Sequence, residues 1–376
     1  MADFIFPFFT TSRIQSLAIT ALAMLVWASD LQANEQVRQR VVQQGIAFLV
    51  SKGQSEDGSF SAAVGPAVTA LSATAMMKNG RTVEDPSVAK ALKYLDGFQR
   101  KDGGIYAKDS LYRNYETAVI VQCLVLANHD GRYDKRIKNA TQFLKGLQWD
   151  EGEGKDPTDF AFGGAGYGKH GRPDLSNTSF FVEALRAAGV EESDPALKRA
   201  LGFISRCQNH ESSHNRTPYA AKNPDGGFYY TPSPGQSQAG TTEAGGLRSY
   251  ASMTYAGLKS MIYCGVDSKD PRFKAALDWI RKHYDLKSNP GLGQAGLYYY
   301  YHTFAKALSA MQVPTFKDSN GKDHHWRFEL IAELAERQKA DGSWSNAMPR
   351  WLEGDPNLVT AYALLALAHC APSSAN

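Results

Sequence analysis

The stretch Ala91-Leu92-Lys93-Tyr94-Leu95-Asp96-Gly97-Phe98-Gln99, followed by Asp102-Gly103-Gly104-Ile105, decides the fold. It reads as an amphipathic helix that ends in Gln and runs into a Gly turn and a large apolar residue. The same unit returns around the chain. Ala47-Phe48 leads to Gln54 and Asp57-Gly58-Ser59-Phe60, and Leu330 through Leu334 leads to Gln338 and Asp341-Gly342-Ser343-Trp344. Phe143-Leu144 leads to Gln148. Ala200-Leu201-Gly202-Phe203-Ile204 leads to Gln208 and, after an insertion, to Asp225-Gly226-Gly227-Phe228. In the fifth copy Ala276-Leu277-Asp278-Trp279-Ile280 reaches Tyr284 where Gln would stand, then Gly296-Leu297-Tyr298. Recurrence of one supersecondary unit is the signature of a repeat architecture.

Each unit has a second half, a more apolar helix with Thr in its first turns: Thr69, Thr117, Thr178, Thr254, Thr303 and Thr360. The first helix is amphipathic, so one face meets water; the second is apolar nearly all round, so it is buried. Asp-Gly-Gly makes a tight turn because Gly accepts positive φ. Asp85-Pro86, Asp194-Pro195 and Asp270-Pro271 place an acidic N-cap before Pro at N1, which starts the outer helices. Insertions at 150–161, 209–224 and 231–246 account for the irregular spacing. Six outer and six inner helices then close into an all-α, α/α toroid over residues 34–372. An open solenoid is the alternative; six units without a polar capping repeat favour closure.

Composition bounds the function. With 376 residues the chain is long enough for a large core. Its 43% apolar and 21% charged residues are those of a globular protein, which argues against a disordered chain. A net charge of +3 and no Lys/Arg run give no reason to propose nucleic acid. Arg13, the apolar run Leu17 to Trp27 and Leu31-Gln32-Ala33 read as a signal peptide over 1–33, hence export to a periplasmic or extracellular space. An uncleaved membrane anchor is the alternative, and 373–376 reads as a disordered tail. Cys123, Cys207, Cys264 and Cys370 have no zinc or redox spacing, and Cys123 and Cys370 lie in apolar helical runs as small hydrophobes. No cofactor or metal is expected.

On the Gln-turn-aromatic units, from roughly Glu35 to His369, the chain resembles the prenyltransferase and squalene cyclase repeat superfamily, whose QW motif the unit is similar to. The resemblance implies positions for chemistry. Cyclases that protonate an alkene carry Asp-x-Asp-Asp-Thr at an inner-helix start; the matching stretch here is Asp174-Leu175-Ser176-Asn177-Thr178. Ser176 stands where the proton donor would be, and a hydroxyl is too weak an acid for that step. Protein prenyltransferases hold zinc with Asp-x-Cys and a later His-Thr. His302-Thr303 is similar to the second element, but Tyr250 and Ser252 fall where the first would be. One ligand of three is not a zinc site.

In such a ring the inner-helix N-termini surround one mouth of a central cavity. The residues before each Thr are expected there: Val68, Glu116, Asn177, Met253, His302 and Val359. Asn114, Tyr115, Asp174, Arg248, Tyr250, the run Tyr298 to Tyr301, Trp351, Glu353, Asp355 and Asn357 adjoin them. Asp174, Glu116, His302 and Asp355 are the catalytic candidates. Asn177, Arg248, Tyr250, Tyr298, Tyr300, Tyr301, Trp351, Glu353 and Asn357 are the ligand-binding candidates. Each has a plainer reading: Asp174 and Asp355 as helix caps, Glu116 as a partner of Arg113 or a neighbouring Arg, His302 as a hydrogen-bonded core residue, the tyrosines as packing. Gly163 to Gly168 reads as the repeat's own turn, because no strand precedes it as a phosphate loop requires.

Three functions fit. The first is an isoprenoid-handling enzyme or lipid-binding relative of the terpene cyclases, with a small-molecule ligand and peripheral contact with a membrane. The second is a non-catalytic binding or interaction module. The third is a carbohydrate-active enzyme using Glu116 with Asp174, or Glu353 with Asp355, as acid and base.

Overall fold

The computed structural model describes residues 31–168 and 171–372. The expected leader, apart from its last three positions, and the expected tail lie outside these residues. The described residues form twelve α-helices. The outer ones are α1 (31–48), α3 (Pro86–Asp96), α5 (Asp134–Lys145), α7 (Pro195–Arg206), α9 (Pro271–Lys282) and α11 (Trp326–Arg337). The inner ones are α2 (Ala67–Lys78), α4 (Arg113–Ala127), α6 (Leu175–Ala187), α8 (Ala251–Tyr263), α10 (Leu297–Ala310) and α12 (Pro356–Ala368). Two short hairpins interrupt them: β1 (Thr231–Pro232) with β2 (Gly235–Gln236), and β3 (Phe316–Lys317) with β4 (Asp323–His324).

Local sequence sets the helix starts. Asp85, Asp194 and Asp270 accept from the backbone N–H groups of Ser87, Ala196 and Arg272 at 3.0, 2.9 and 2.8 Å, each with Pro at N1. The free N–H groups of a helix start are thereby satisfied. Outer helices bury one face, as α7 does with Ala196, Leu197, Ala200, Phe203 and Ile204. Inner helices are buried nearly throughout, α12 from Asn357 to Leu367.

Three residues of the repeat make each joint. At the third and fourth joints Gln Nε2 donates to the turn's Gly carbonyl and to the start of the next outer helix, Gln148 to Gly163 and Ala196 at 2.9 Å each, Gln208 to Gly226 at 2.9 Å and Arg272 at 2.8 Å, whereas Gln99 donates within its own turn and accepts from Arg136 of α5 at 3.2 Å. The turn Gly has φ between 81° and 93° at Gly58, Gly103, Gly163, Gly226 and Gly342. A side chain there is excluded twice, by the left-handed backbone and by space: a Cβ on Gly163 would lie 2.0 Å from the Arg199 carbonyl oxygen. The Thr hydroxyl accepts from the turn's backbone N–H, from Phe60 to Thr69, Ile105 to Thr117, Ala165 to Thr178, Phe228 to Thr254 and Trp344 to Thr360, at 2.9–3.1 Å. The fifth joint differs. Tyr284 donates its hydroxyl to Glu329 of α11 at 2.8 Å in place of the Gln, and Thr303 bonds only to carbonyls of its own helix.

The ring is closed. Each inner helix packs on the next, and α12 packs on α2. Gln338 donates to the Val41 carbonyl, Asn79 to Leu364 and Asn357 to Gly53, at 2.9, 2.9 and 3.1 Å. The open solenoid is therefore ruled out. The fold is an α/α toroid, as the repeat predicts. All four cysteines are free and buried, and burial pushes the Cys123 and Cys370 thiols up to about 12. Among the described residues no helix is long and apolar enough to cross a membrane.

Candidate functional site

A cavity of about 700 Å³ opens at the mouth formed by the inner-helix N-termini. Below the mouth four aromatic side chains form a collar, one each from α4, α6, α10 and α12. Tyr115 meets Phe180 at 5.0 Å, Phe180 meets Tyr299 at 6.2 Å and Tyr299 meets Tyr362 at 6.0 Å between ring centroids. The Tyr362 and Tyr115 hydroxyls, 3.4 Å apart, complete the circle. Ser176 and Tyr299 share a hydroxyl hydrogen bond at 3.0 Å beside it. Burial pushes the Tyr115 phenol up to about 12 and raises Tyr299 and Tyr362 further, so all three stay neutral.

Above the collar, Glu116, Asn177, Tyr250, Trp351 and Glu353 line the cavity, with Val68 and Met253. Glu116 is 2% exposed and accepts from the Ala107 N–H at 2.8 Å. Arg113 is not its partner: that guanidinium donates to the Ser110 carbonyl and lies over the Tyr106 ring. Glu353 is 1% exposed and caps α10, accepting from the Tyr298 and Tyr299 N–H groups at 2.9 and 2.8 Å and from Asn346 at 2.7 Å. Burial raises both carboxyls, Glu353 to about 6 despite those bonds. Trp351 is 43% exposed in a loop with φ 56°, its ring against Gly296 and beneath the Arg350 guanidinium at 4.2 Å.

The remaining candidates lie elsewhere. Asp174 is buried behind the cavity wall as the N-cap of α6, accepting from the Asn177 N–H at 2.9 Å and its amide at 2.8 Å; burial pushes its carboxyl up to about 6. Asp355 caps α12 through the Leu358 N–H at 3.0 Å. Arg248 is exposed and donates to the Thr241 carbonyl. Asn357 belongs to the ring seam, bonded to Gly53 and Ser61. Tyr300 and Tyr301 turn outward, donating to the Asp285 and Leu286 carbonyls at 2.6 Å each, and Tyr298 packs edge-on against Tyr301. His302 is not at this mouth. One turn further along α10 than Tyr299, it lines a second cavity at the other end of the ring. Neither carboxylate pair expected to act as acid and base faces the cavity together, because Asp174 and Asp355 are caps outside its lining.

The collar was the part missed. Tyr299, not its three neighbours, faces inward, and Phe180 and Tyr362 complete the set. The readable signal was helical phase: Tyr299 and His302 are three residues apart on one face of α10.

Residues 64–231, from the end of the first turn through α7 to β1, match the squalene-hopene cyclase C-terminal domain. A protein described as a probable squalene-hopene cyclase from Sinorhizobium fredii (strain NBRC 101917 / NGR234) is 28% identical over 141 residues, which cover 37% of this chain and 21% of that protein. Over this stretch the chain is similar to the terpene cyclase/prenyltransferase repeat superfamily. The matched stretch spans about a fifth of that relative's length, so likeness to it reaches one part of a larger protein. Ser176, which the resemblance places at the cyclase donor position, lines the cavity beside the collar. Tyr250 and Ser252, near which the resemblance places a prenyltransferase zinc pair, line it too, while His302 lies beyond the collar. Among the described residues no three His, Cys, Asp or Glu side chains gather as metal ligands.

Proposed function

We propose that the chain binds an isoprenoid or similar apolar lipid in the 700 Å³ cavity and does not cyclise it by alkene protonation. The observation that carries this reading is the collar of Tyr115, Phe180, Tyr299 and Tyr362. Its rings present apolar, π-rich surface to anything threaded through the ring, the lining that suits a hydrocarbon chain or a cationic head. The cavity volume lies within the usual range for small-molecule sites.

The rim supports a lipid source. Val64, Leu111, Tyr112, Tyr167, Trp351 and Leu352 line the cavity and are also exposed, Leu111 by 78%. Apolar side chains gathered in water around one opening mark a surface that meets lipid or another apolar partner. Against protonation stands Ser176 at the donor position. Asp174, the nearest carboxyl in sequence, has both oxygens engaged by Asn177. Export to a periplasmic or extracellular space, through a leader at 1–33, remains part of this proposal.

The test is mass spectrometry of an organic extract of the purified protein, alongside incubation with squalene. A stoichiometric isoprenoid or lipid with unchanged squalene supports the reading. Cyclised product that disappears in Asp174→Asn would replace it with an enzyme. A clean extract, with no lipid taken up from added vesicles, would remove it.

A further inference from the structure

The other end of the ring holds a second cavity, of about 410 Å³, between the C-terminal halves of the inner helices. Among the described residues Glu183 of α6 is the only carboxylate that lines it. One oxygen takes Lys259 of α8 and the other takes Lys306 of α10, and Lys306 also donates to Gln122 at 3.2 Å. Burial alone would raise the Glu183 carboxyl, but the two ammonium groups outweigh it and hold it below the usual carboxylate range. Two cations on one anion leave an excess positive charge. Lys78, from the last turn of α2, lines the same space and adds another; the charges that act on it are Lys306 and Glu183. Arg186 at the edge adds none, because its guanidinium is taken by the Val190 carbonyl and by Glu192. Lys78 reaches the space from its exposed edge, whereas Lys259 and Lys306 are largely buried, and the charge that Glu183 leaves uncompensated on them is costly.

A second observation points the same way. His302 is 5% exposed, lines this cavity and stacks on Tyr362 at 5.5 Å, yet its Nδ1 has no hydrogen-bond partner. A buried polar atom without a partner is left with an uncompensated desolvation cost. Burial and the nearby Lys306 keep the ring neutral, so it has one N–H to donate.

We propose that this second cavity is a binding site for a small oxyanion, a carboxylate or phosphate, held by Lys78 and Lys306 with the His302 imidazole as hydrogen-bond donor. The walls beyond the charges are apolar, at Leu71, Val119 and Leu126, and Phe180 is shared with the collar. The site therefore has room for an anion that carries a hydrocarbon tail. A free oxyanion and the head of an amphiphile share the chemistry. The inference stands on the charge and the unpartnered His302 and does not need the first cavity to hold lipid.

Titration calorimetry of the full chain with inorganic phosphate, decanoate and decanol tests it. Phosphate or decanoate is expected to bind in a way that the lysine and histidine variants weaken, whereas any binding of decanol is expected to be the same in parent and variants. Lys78→Ala and His302→Phe should each weaken the anion about tenfold, the loss of one hydrogen bond to a charged group. Thermal melts confirm folding, and the exposed Lys78 end makes Lys78→Ala the safer variant. Decanoate binding tighter than phosphate assigns an amphiphile head; equal affinities assign a free oxyanion; both support the site. The proposal is overturned if neither anion binds, if both variants bind as the parent does, or if Trp351→Ala at the other mouth abolishes binding instead.

Discussion

The two mouths of the ring are the opposite ends of the same six helices, and their chemistry is sorted by helix direction. At the N-terminal mouth the carboxylates Asp174, Glu353 and Asp355 lie against backbone N–H groups and need no cation. At the C-terminal end the backbone offers carbonyl oxygens, so the one acid there, Glu183, is held by lysines instead. Lys78 and Arg186 lie in last turns, where the helix end favours positive charge. The first mouth combines these backbone-held carboxylates with an apolar, water-facing rim. The second keeps its charge pointed into its cavity. A ring of parallel inner helices thus separates an apolar entrance from a cationic one without any special sequence device.

The largest expected effect breaks the charged end. Glu183→Gln should destabilise the chain by about 3–5 kcal/mol, because it leaves two buried ammonium groups without their anion. Urea denaturation measures it, and a loss under 1 kcal/mol would show that water or an ion already screens the lysines. Next comes the partition between the ends. Phe180→Ala should cost about 3 kcal/mol, near the low end for a buried Phe since it faces space on both sides, and should join the two cavities. A decanoate affinity that rises in this variant would show tail and head spanning the collar.

Acid sharpens the contrast through opposite signs. His302 and His369 are held below the ordinary His value, His369 at about 3, so their stabilising contribution is present above pH 6.5 and lost as pH falls. Asp174 and Glu353 are raised to about 6, so their contribution is full near pH 4 and lost as pH rises through 6. Between pH 6.5 and 4.5 the two ends oppose each other. Asp174→Asn keeps the cap and removes one branch, so acidification across that window should cost it about 2 kcal/mol more than the parent. Denaturation midpoints at three pH values decide it; parallel curves would mean Asp174 is ionised throughout. The smallest stability effect is at the apolar rim. Trp351→Ala should stay within about 0.5 kcal/mol of the parent, as exposed positions do, yet reduce co-sedimentation with lipid vesicles. Unchanged co-sedimentation would remove the rim from lipid contact.

The scaffold was legible because each joint is local and repeated. Gln, Gly and Thr occupy fixed places in five of the six turns: Gln and Thr supply side-chain bonds, and Gly takes a backbone conformation that a side chain excludes. The fifth joint was legible as a departure at Tyr284, but its replacement bond to Glu329 spans 45 residues and has no local sign. The candidate site was read less well for one reason: position along a helix was used without its phase. Tyr298, Tyr300 and Tyr301 share a run with Tyr299 but face outward. His302 follows Tyr299 closely in sequence yet lies past the collar. The charged cavity had a readable sign that went unused. Glu183, Lys259 and Lys306 are charges inside otherwise apolar inner helices, where an unpaired charge is not tolerated, so they had to meet one another.

The seam between α12 and α2 has a consequence for synthesis. Its hydrogen bonds join residues 285 to 304 positions apart, Asn79 with Leu364, Gln338 with Val41 and Asn357 with Gly53. A chain still emerging from the ribosome holds only an open arc of hairpins, with the apolar flank of α2 uncovered until the last helix arrives. Such long-range closure is slow and leaves sticky surface waiting. Aggregation should therefore respond more sharply to changes at the seam than at any joint between consecutive units.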